Sequence, residues 1–207
     1  MQYSIWIVDS WPEVKGPNAK GHTRCFEEVA LALQSAFREL GYDVPIVDSP
    51  EKATGRVIVL GAGVLDRHKN IQMPDDVIIY NFEQVHDDAR FFRTNNPYIY
   101  YLRRYPVWDY SRNNIAQLEQ RGVTDITMCR VGYMPELTRI KKQENEDIDV
   151  LFIGSMQPRR QKIIDELKQR GLRVQVIQDM YGQQRDDMIA RSKVILNLHI
   201  QPANVFE

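Results

Sequence analysis

Short apolar runs alternate with amphipathic segments along this chain. Residues 3–10 (YSIWIVDS), 56–63 (RVIVLGAG) and 76–85 (DVIIYNFEQV) are rich in β-branched and aromatic residues and are bounded by Gly, Pro or Asp, so we predict that they are strands. Between the first two runs, apolar residues recur every three or four positions over 26–40, and Gly41 follows them. This spacing predicts an amphipathic helix that ends at the glycine.

The alternation restarts after a polar segment. The sequence TRIKKQENED at 138–147 contains one apolar residue, which is typical of a surface linker between packed units. From residue 148 the order strand, helix, strand, helix, strand predicts a parallel sheet covered on both faces, with ligands at the carboxyl ends of its strands. We therefore predict an α/β fold of two Rossmann-like, doubly wound parallel-sheet domains, residues 1–138 and 148–207, joined by a linker at 139–147.

Composition and charge narrow the class of protein. The chain has 207 residues, 43% of them apolar, so it is long enough for two modest domains that each bury a core. Lys and Arg number 27 and Asp and Glu number 28, so no overall charge attracts the chain to nucleic acid or to an anionic membrane surface. Neither a long apolar run nor a basic leader occurs near the start. We therefore expect no membrane span, no nucleic-acid partner and a cytoplasmic location.

The segment DVLFIGSMQPRRQKII, which starts at residue 149, has the most informative pattern. Its apolar strand ends at Gly154 and Ser155, and the helix that follows has Arg159 and Arg160 in its first turn. The amino end of a helix already carries partial positive charge, so cations there are unfavourable unless an anion compensates them. Free backbone N–H groups and two guanidinium groups can bind a diphosphate. The alternative is that both side chains are simply solvated.

Polar residues also occur near the end of the last predicted strand. Asn197 and His199 alternate on this strand and are therefore predicted to point to one face, while Asn204 and Glu207 follow in the loop. All four residues would then lie at the edge of the sheet where the arginines lie. Alternatively, Asn197 and His199 are core residues whose polar groups bond to the backbone.

Residues 149–207 resemble the nucleotide-sugar-binding half of GT-B glycosyltransferases, especially the bacterial spore-maturation-type (CgeB-like) family. The resemblance rests on the strand, Gly-Ser turn and Arg-rich helix start, on the segment YGQQRDDMIARSKVILNLH at 181–199, and on the closing Phe-Glu. It implies a glycosyltransferase of GT-B type that transfers a sugar from a nucleoside-diphosphate sugar to an unidentified acceptor.

The family pattern also implies a role for each residue of the donor site. Arg159 or Arg160 would contact the diphosphate, and Glu207 would bind the ribose of the donor nucleotide. Tyr181 and Gly182 would lie beside the base. Asn197, His199 and Asn204 would shape the donor pocket, and Gly154 and Ser155, which form the turn of the predicted diphosphate site, are donor-binding candidates as well.

The first half of the chain resembles the acceptor-side domain of the same fold. Four segments carry this softer resemblance: EVKGPNAKGHTRCFEEV at 13–29, YNFEQ at 80–84, VWDYS at 107–111 and GYMPEL at 132–137. It implies that the sugar and its acceptor meet between the domains. An inverting transferase needs a base that takes the proton of the acceptor hydroxyl, and His22 and Glu83 are the candidates; a retaining enzyme needs none. Otherwise His22 is a loop residue near a helix cap, and Glu83 is a surface partner for an arginine.

The resemblance further implies that neither a metal nor a cofactor takes part, because GT-B folds neutralise the departing diphosphate with helix dipoles and basic side chains. The triplet DID at 147–149 fits an Asp-x-Asp metal motif, but it opens a strand and so lies at the wrong end of the sheet. The family pattern continues beyond Glu207 into a helix. We therefore expect a truncated second domain whose apolar sheet surface is covered by a partner chain or by self-association.

Three other functions fit parts of the sequence. Gly61-x-Gly63 after a strand, with Glu83 at the end of the next, imitates the fingerprint of an NAD(P)- or FAD-dependent oxidoreductase, but Asp66 occupies its third glycine position. The aromatic and basic stretch at 96–112 suits single-stranded nucleic acid, although aromatic packing around a strand explains it more simply. A non-catalytic nucleotide-sugar-binding or scaffold protein is the third alternative.

Overall fold

The structure is a computed structural model that describes residues 1–8, 23–67, 71–87, 89, 91–92 and 96–199. The chain divides into two compact units, the first from Met1 to Leu137 and the second starting at Thr138. Each unit is built on a parallel β-sheet with α-helices between the strands. The predicted α/β class with parallel sheets is therefore confirmed.

The described residues of the first unit form six strands and three α-helices. The strands are β1 (Tyr3–Ile7), β2 (Ile46–Val47), β3 (Arg56–Leu60), β4 (Val77–Asn81), β5 (Val107–Asp109) and β6 (Ile126–Met128). The helices are α1 (Glu27–Glu39), α2 (Tyr98–Arg104) and α3 (Arg112–Gln120), and short 3-10 helices occupy Thr23–Phe26, Pro50–Lys52, Ala62–Arg67 and Pro135–Leu137. The sheet order is β2-β1-β3-β4-β5-β6, and every neighbouring pair is parallel.

The central strands of this sheet are buried on both faces. In β3, Val57 and Val59 pack into one apolar cluster with residues of α2 and α3, whereas Ile58 and Leu60 pack into a second cluster with residues of α1. Successive side chains of a strand point to opposite faces, so a strand that is covered on both sides needs an uninterrupted apolar run. The sequence VIVL of β3 meets this requirement.

Helix α1 ends where the sequence predicts. Gly41 follows the last turn with a φ of +85°, and its N–H donates to the carbonyl oxygen of Arg38 at 3.0 Å. Glycine adopts this left-handed conformation at little cost and leaves the last carbonyls of the helix bonded.

The Tyr-rich stretch differs from the sequence prediction. We expected its aromatic residues to pack around a strand, but Tyr98–Arg104 forms α2. Tyr98 and Leu102 are one helical turn apart and are both buried, so tertiary packing of one helix face outweighs the strand preference of the aromatic side chains. The strand in this region is the shorter β5, which follows α2.

Between Thr138 and His199, the part of the second unit that the structure describes, three strands and two α-helices alternate strictly. They are β7 (Ile148–Ile153), α4 (Pro158–Gln169), β8 (Val174–Ile177), α5 (Gln183–Ala190) and β9 (Ser192–Leu196). The sheet order is β8-β7-β9, with both pairs parallel. The predicted strand–helix–strand–helix–strand order from residue 148 is confirmed. β7 lies at the centre, where Leu151 and Phe152 are fully buried.

The polar segment before β7 bonds to the second unit. Arg139 Nε donates to Asp186 Oδ2 at 2.9 Å, and the N–H of Gln143 donates to the carbonyl oxygen of Ala190 at 2.9 Å. Asp147 pairs with Arg191. These contacts attach residues 139–147 to α5 and to the start of β9.

β9 lies at an edge of the second sheet and is more exposed than β7. Val194 is 52% exposed and Ile195 is 45% exposed, although they point to opposite faces of the strand. In the part of the chain that the structure describes, no helix is both long and apolar enough to cross a membrane, and the longest, α1, has 13 residues.

Candidate functional site at the carboxyl edge of the second sheet

The topology of the second sheet defines a ligand-binding position. After the central β7 the chain adds β8 on one side and then returns to add β9 on the other side. This arrangement is a topological switch point, and parallel α/β sheets bind ligands at such points, in the crevice outside the carboxyl ends of the strands. Gly154 and Ser155 leave β7 there, and residues 197–199 leave β9 there.

Arg160 joins these two segments. Its Nε and one terminal nitrogen both donate to the carbonyl oxygen of Leu198, at 3.0 and 2.7 Å. The other terminal nitrogen donates to the carbonyl oxygen of Ser155 at 2.8 Å, and the guanidinium carbon lies 5.2 Å from the centre of the Phe152 ring. The side chain thus connects the turn after β7 to the loop after β9.

Arg159 lies beside Arg160 and is more exposed. One of its terminal nitrogens donates to the carbonyl oxygen of His199 at 2.7 Å. A guanidinium has five N–H donors in a planar fork, so most of the donors of Arg159 are not used by this bond. The predicted convergence of the two arginines on the segment around His199 is therefore seen in the structure.

No acidic group compensates the positive charge at this helix end among the residues that the structure describes. The first turn of α4 contains no acidic side chain, and the preceding Gln157 makes no side-chain capping bond. Both arginines bond to backbone carbonyls, and neither forms an ion pair with a described carboxylate. The partial positive charge of the α4 amino end and the two guanidinium charges therefore lie close together.

The pKa of Arg160 reflects this lack of a counterion. Burial and the neighbouring charge of Arg159 both lower the pKa of Arg160. At the opposite edge of the sheet, the hydrogen bonds that Arg173 and Arg191 donate to carboxylates raise the pKa of each of these arginines. Unlike these paired arginines, Arg160 has no carboxylate partner among the residues that the structure describes.

Gly154 keeps the turn after β7 compact. Its φ is +148°, and a Cβ atom on it would lie 3.3 Å from Phe152 Cζ and 3.7 Å from an Arg160 terminal nitrogen. A side chain there would therefore crowd the Phe152 ring and lie in contact with the guanidinium. A glycine at this position leaves the backbone next to Arg160 accessible.

Tyr181 and Gly182 follow β8, at the same carboxyl edge. Gly182 precedes α5 with a φ of +61° and a ψ of −143°, a combination that is essentially restricted to glycine. Both residues are half-buried. The sequence correctly assigned them to the loop after the second strand of this unit.

The predicted placement of Asn197 and His199 on the last strand is wrong. β9 ends at Leu196, so both residues belong to the loop that follows it. This loop turns the carbonyl oxygens of Leu198 and His199 towards the arginines, which ends the strand pairing with β7. Asn204 and Glu207 lie outside the described residues.

In the first unit, the structure places Glu83 just after the carboxyl end of β4, half-buried. Its main chain is held by side chains: the N–H donates to Asn81 Oδ1 at 3.1 Å, and the carbonyl oxygen accepts from Asn81 Nδ2 and Asn114 Nδ2, each at 3.1 Å. The second candidate base, His22, lies outside the described residues.

The buried polar network around Asp109 was not predicted from the sequence. Asp109 is completely buried and accepts hydrogen bonds from the side chains of Asn81 and Asn114. Burial raises the pKa of Asp109 to about 6, although the hydrogen bonds that it accepts act in the opposite direction. The available signal was that two apolar runs, VIIYN and VWD, each end in a polar residue.

Features that favoured the other functions have local structural explanations. β3 is followed by the 3-10 helix Ala62–Arg67 and not by the α-helix that a dinucleotide fingerprint requires. Gly63 lies against the Phe91 ring, because a Cβ atom built on Gly63 would be 3.1 Å from that ring. In the aromatic stretch, Tyr98 is buried and donates to Asn81, and Arg103 donates twice to the carbonyl oxygen of Arg121.

The DID triplet and two cavities lie away from the crevice. Asp147 pairs with Arg191, and Asp149 pairs with Arg173 and Lys193, all at the amino end of the second sheet. A cavity of about 430 Å³ is lined by residues that precede β3 and β4, at the amino edge of the first sheet. Another of about 260 Å³ lies between the segment 139–143 and α5.

Two viral proteins are similar to this chain, and no protein-family model matches it. The chain is 33% identical over 129 residues to the uncharacterized protein L140 of Acanthamoeba polyphaga mimivirus, an alignment that covers 59% of this chain and 40% of that protein. It is 31% identical over 182 residues to the uncharacterized protein L138 of the same virus, which covers 76% of this chain and 20% of that protein. The chain therefore spans less than half the length of each of these relatives.

Proposed function

We propose that the chain is a GT-B-type glycosyltransferase that binds a nucleoside-diphosphate sugar at the carboxyl edge of the second sheet and transfers the sugar to an acceptor. One observation carries the proposal. Arg159 and Arg160 lie at the switch point of a parallel sheet, next to a helix amino end, and they bond to backbone carbonyls while no described carboxylate pairs with them. A diphosphate is the anion that best fits two adjacent guanidinium groups at a helix amino end.

The proposed chemistry uses this charge to stabilise the leaving group. When the bond between the anomeric carbon and the diphosphate breaks, negative charge grows on the diphosphate, and preorganised cations and N–H groups lower the barrier to this step. Arg159, for which one hydrogen bond to a described residue is seen, the one to the His199 carbonyl oxygen, contacts the diphosphate. Arg160 holds the walls of the crevice together through Leu198 and Ser155. The reaction as proposed needs no metal ion.

In an inverting reaction, Glu83 is the base. Its carboxylate takes the proton of the acceptor hydroxyl while the hydroxyl oxygen forms the new bond to the anomeric carbon and the diphosphate leaves. Main-chain bonds to Asn81 and Asn114 fix the position of Glu83, which is what a base needs for reaction geometry. The other donor-site residues keep their proposed roles. Tyr181 and Gly182 lie beside the nucleobase of the donor, and Glu207 binds its ribose. The residues around the rest of the sugar nucleotide are Gly154, Ser155, Asn197, His199 and Asn204.

A ligand screen followed by a turnover assay tests the proposal. Nucleoside diphosphates and their sugars are added to the purified chain, and a ligand that binds the native state raises the melting temperature. We expect at least one nucleoside diphosphate to raise the melting temperature. We also expect that diphosphate to be released from its sugar when extracts that contain acceptors are added. Glu83→Gln should keep the melting shift and lose the release. A panel in which no nucleoside diphosphate shifts the melting temperature would contradict the proposal.

The exposed side chains of β9 support a proposal about partners. Val194 and Ile195 are about half exposed on an edge strand, and apolar edge strands pair readily with further chains. We expect a partner chain or a second copy of this chain to cover them. Sedimentation analysis of the wild type and of Ile195→Lys measures self-association, and identical monomeric behaviour of both would exclude the second copy.

A further inference from the structure

A closed polar network lies beneath Glu83 in the first unit. Asn81, Asp109 and Asn114 are each at most 1% exposed, and the proposed transfer step uses none of them directly. Buried amides and carboxylates cost free energy unless their groups find partners. The arrangement of these partners shows what the network is built to hold.

The carboxylate of Asp109 determines how both amides are oriented. An ionised carboxylate only accepts hydrogen bonds, and Asp109 accepts from Asn81 Nδ2 at 2.6 Å, from Asn114 Nδ2 at 3.2 Å and from the N–H of Ser111 at 2.8 Å. Each asparagine must therefore turn its NH₂ group towards Asp109. The oxygen of each amide is then directed to other groups.

The amides, once oriented, hold the loop that contains Glu83. Asn81 Oδ1 accepts the N–H of Glu83 at 3.1 Å and the hydroxyl of Tyr98 at 2.8 Å. The NH₂ groups of both asparagines donate to the Glu83 carbonyl oxygen, and Asn114 Oδ1 accepts the N–H of Val85 at 3.1 Å. If the Asn81 amide reversed, its NH₂ group would face the N–H of Glu83, and both groups are donors.

We propose that Asp109 is a positioning residue that holds Glu83 at the carboxyl edge of the first sheet through the amides of Asn81 and Asn114. The use of Glu83 as a base rests on the proposed function, whereas the positioning does not. The negative charge of Asp109 is required, because a protonated carboxyl group would have to donate one O–H into a set of groups that all donate.

Acid should therefore loosen the Glu83 loop. Among the described residues, the titratable groups that face the network are Tyr80 of β4, Tyr98 of α2, Cys129 after β6, Cys25 before α1 and Glu83 itself. Burial raises the pKa of the two tyrosines and of the two cysteines above the ordinary values, so these four groups do not change charge between pH 4 and pH 8. The contribution of Glu83 is separated by substitution.

Amide hydrogen exchange, measured by NMR on the full chain, tests the positioning. In Asp109→Asn an NH₂ group replaces one of the two oxygens that accept from Asn81 and from the backbone N–H of Ser111. The N–H of Ser111 is fixed by the main chain and keeps the remaining oxygen, so the new NH₂ group faces Asn81, the Asn81 amide reverses and the N–H of Glu83 loses its acceptor. We expect the protection of this N–H to fall about tenfold, as for one lost hydrogen bond. Ser4→Ala is the matched control, because it removes a hydrogen bond of a buried side chain in the same unit, the one that Ser4 Oγ donates to the Thr54 carbonyl oxygen at 2.8 Å, between residues outside the network.

A charge swap provides the rescue. In Asn81→Asp combined with Asp109→Asn, the carboxylate at 81 accepts from the amide at 109, from Tyr98 and from the N–H of Glu83, while the Glu83 carbonyl oxygen keeps its bond from Asn114. Protection of the Glu83 N–H should therefore return at least in part. Unchanged protection in Asp109→Asn, or no return in the double variant, would overturn the proposal.

A pH series keeps the proposal falsifiable if Asp109→Asn does not fold. In the wild type and in Glu83→Gln, protection of the residue 83 N–H, corrected for intrinsic exchange, should fall between pH 7 and pH 5. A protection factor that stays constant in both proteins would equally overturn the positioning. If protection responds as expected but no sugar is transferred, the positioning stands and the proposed function fails.

Discussion

The buried carboxylate of Asp109 should make the stability of the first unit depend on pH. Asp109 is 0% exposed, and burial raises its pKa from 3.8 to about 6. Each pKa unit corresponds to about 1.4 kcal/mol, so ionisation of Asp109 costs the folded state about 3 kcal/mol. Because the pKa is higher in the folded state than in the unfolded state, the stabilising contribution is complete below pH 3.8 and is lost as the pH rises through about 6.

Urea denaturation of the wild type and Asp109→Asn between pH 4 and pH 7.5 measures this cost. Tryptophan fluorescence reports on the first unit, because all three tryptophans, at positions 6, 11 and 108, belong to it. In Asp109→Asn the reversed Asn81 amide lowers the free energy of unfolding by an amount that does not depend on pH. The informative quantity is therefore the change with pH of the difference in free energy of unfolding between the two proteins. We expect the wild type to lose about 2–3 kcal/mol relative to the variant over this range. A difference that is independent of pH, or one with the opposite slope, would refute the reasoning.

Two further predictions concern stability. Arg160→Ala should lower the free energy of unfolding of the second unit by about 2–3 kcal/mol, because charge-assisted bonds to Leu198 and Ser155 are lost. Arg159→Ala should change this free energy by less than about 0.5 kcal/mol. Equal losses for the two variants in urea denaturation would contradict the different roles given to the two arginines. Gly55→Ala should cost about 3 kcal/mol or more, since the new Cβ would lie 2.3 Å from a backbone oxygen at a φ of +68°. Gly41→Ala, with a similar φ and open space around it, should cost about 1 kcal/mol, and thermal melts of similar midpoint for the two would be inconsistent with the packing described here.

The elements that the sequence predicts correctly are those with a strong local pattern. β3 and β7 are uninterrupted apolar runs, and α4 starts at a proline after a Gly-Ser turn. β2 has two residues and β5 has three, so neither is long enough to show a period. α2 was missed because its aromatic residues prefer strands locally, while burial of Tyr98 and Leu102 on one face decides the structure.

The candidate site divides along similar lines. The two arginines were found because cations in the first turn of a helix contradict a local electrostatic rule, and such contradictions often mark function. The network around Asp109 was not found because its members are far apart in sequence and meet only when β4 and β5 pair. The division of roles between Arg159 and Arg160 required the positions of the Leu198 and His199 carbonyl oxygens, which no sequence pattern gives.

Isothermal titration calorimetry of the nucleoside diphosphates with the wild type, Arg159→Ala and Lys162→Ala tests the central claim most directly. Lys162 is the matched control, because it is an exposed cation on the first turns of the same helix, further from its amino end. We expect at least one nucleoside diphosphate to bind the wild type. Its binding free energy should weaken by about 1–3 kcal/mol in Arg159→Ala and by less than about 0.5 kcal/mol in Lys162→Ala. Equal weakening in both variants, or an affinity that Arg159→Ala leaves unchanged, would contradict a diphosphate site at this edge of the sheet.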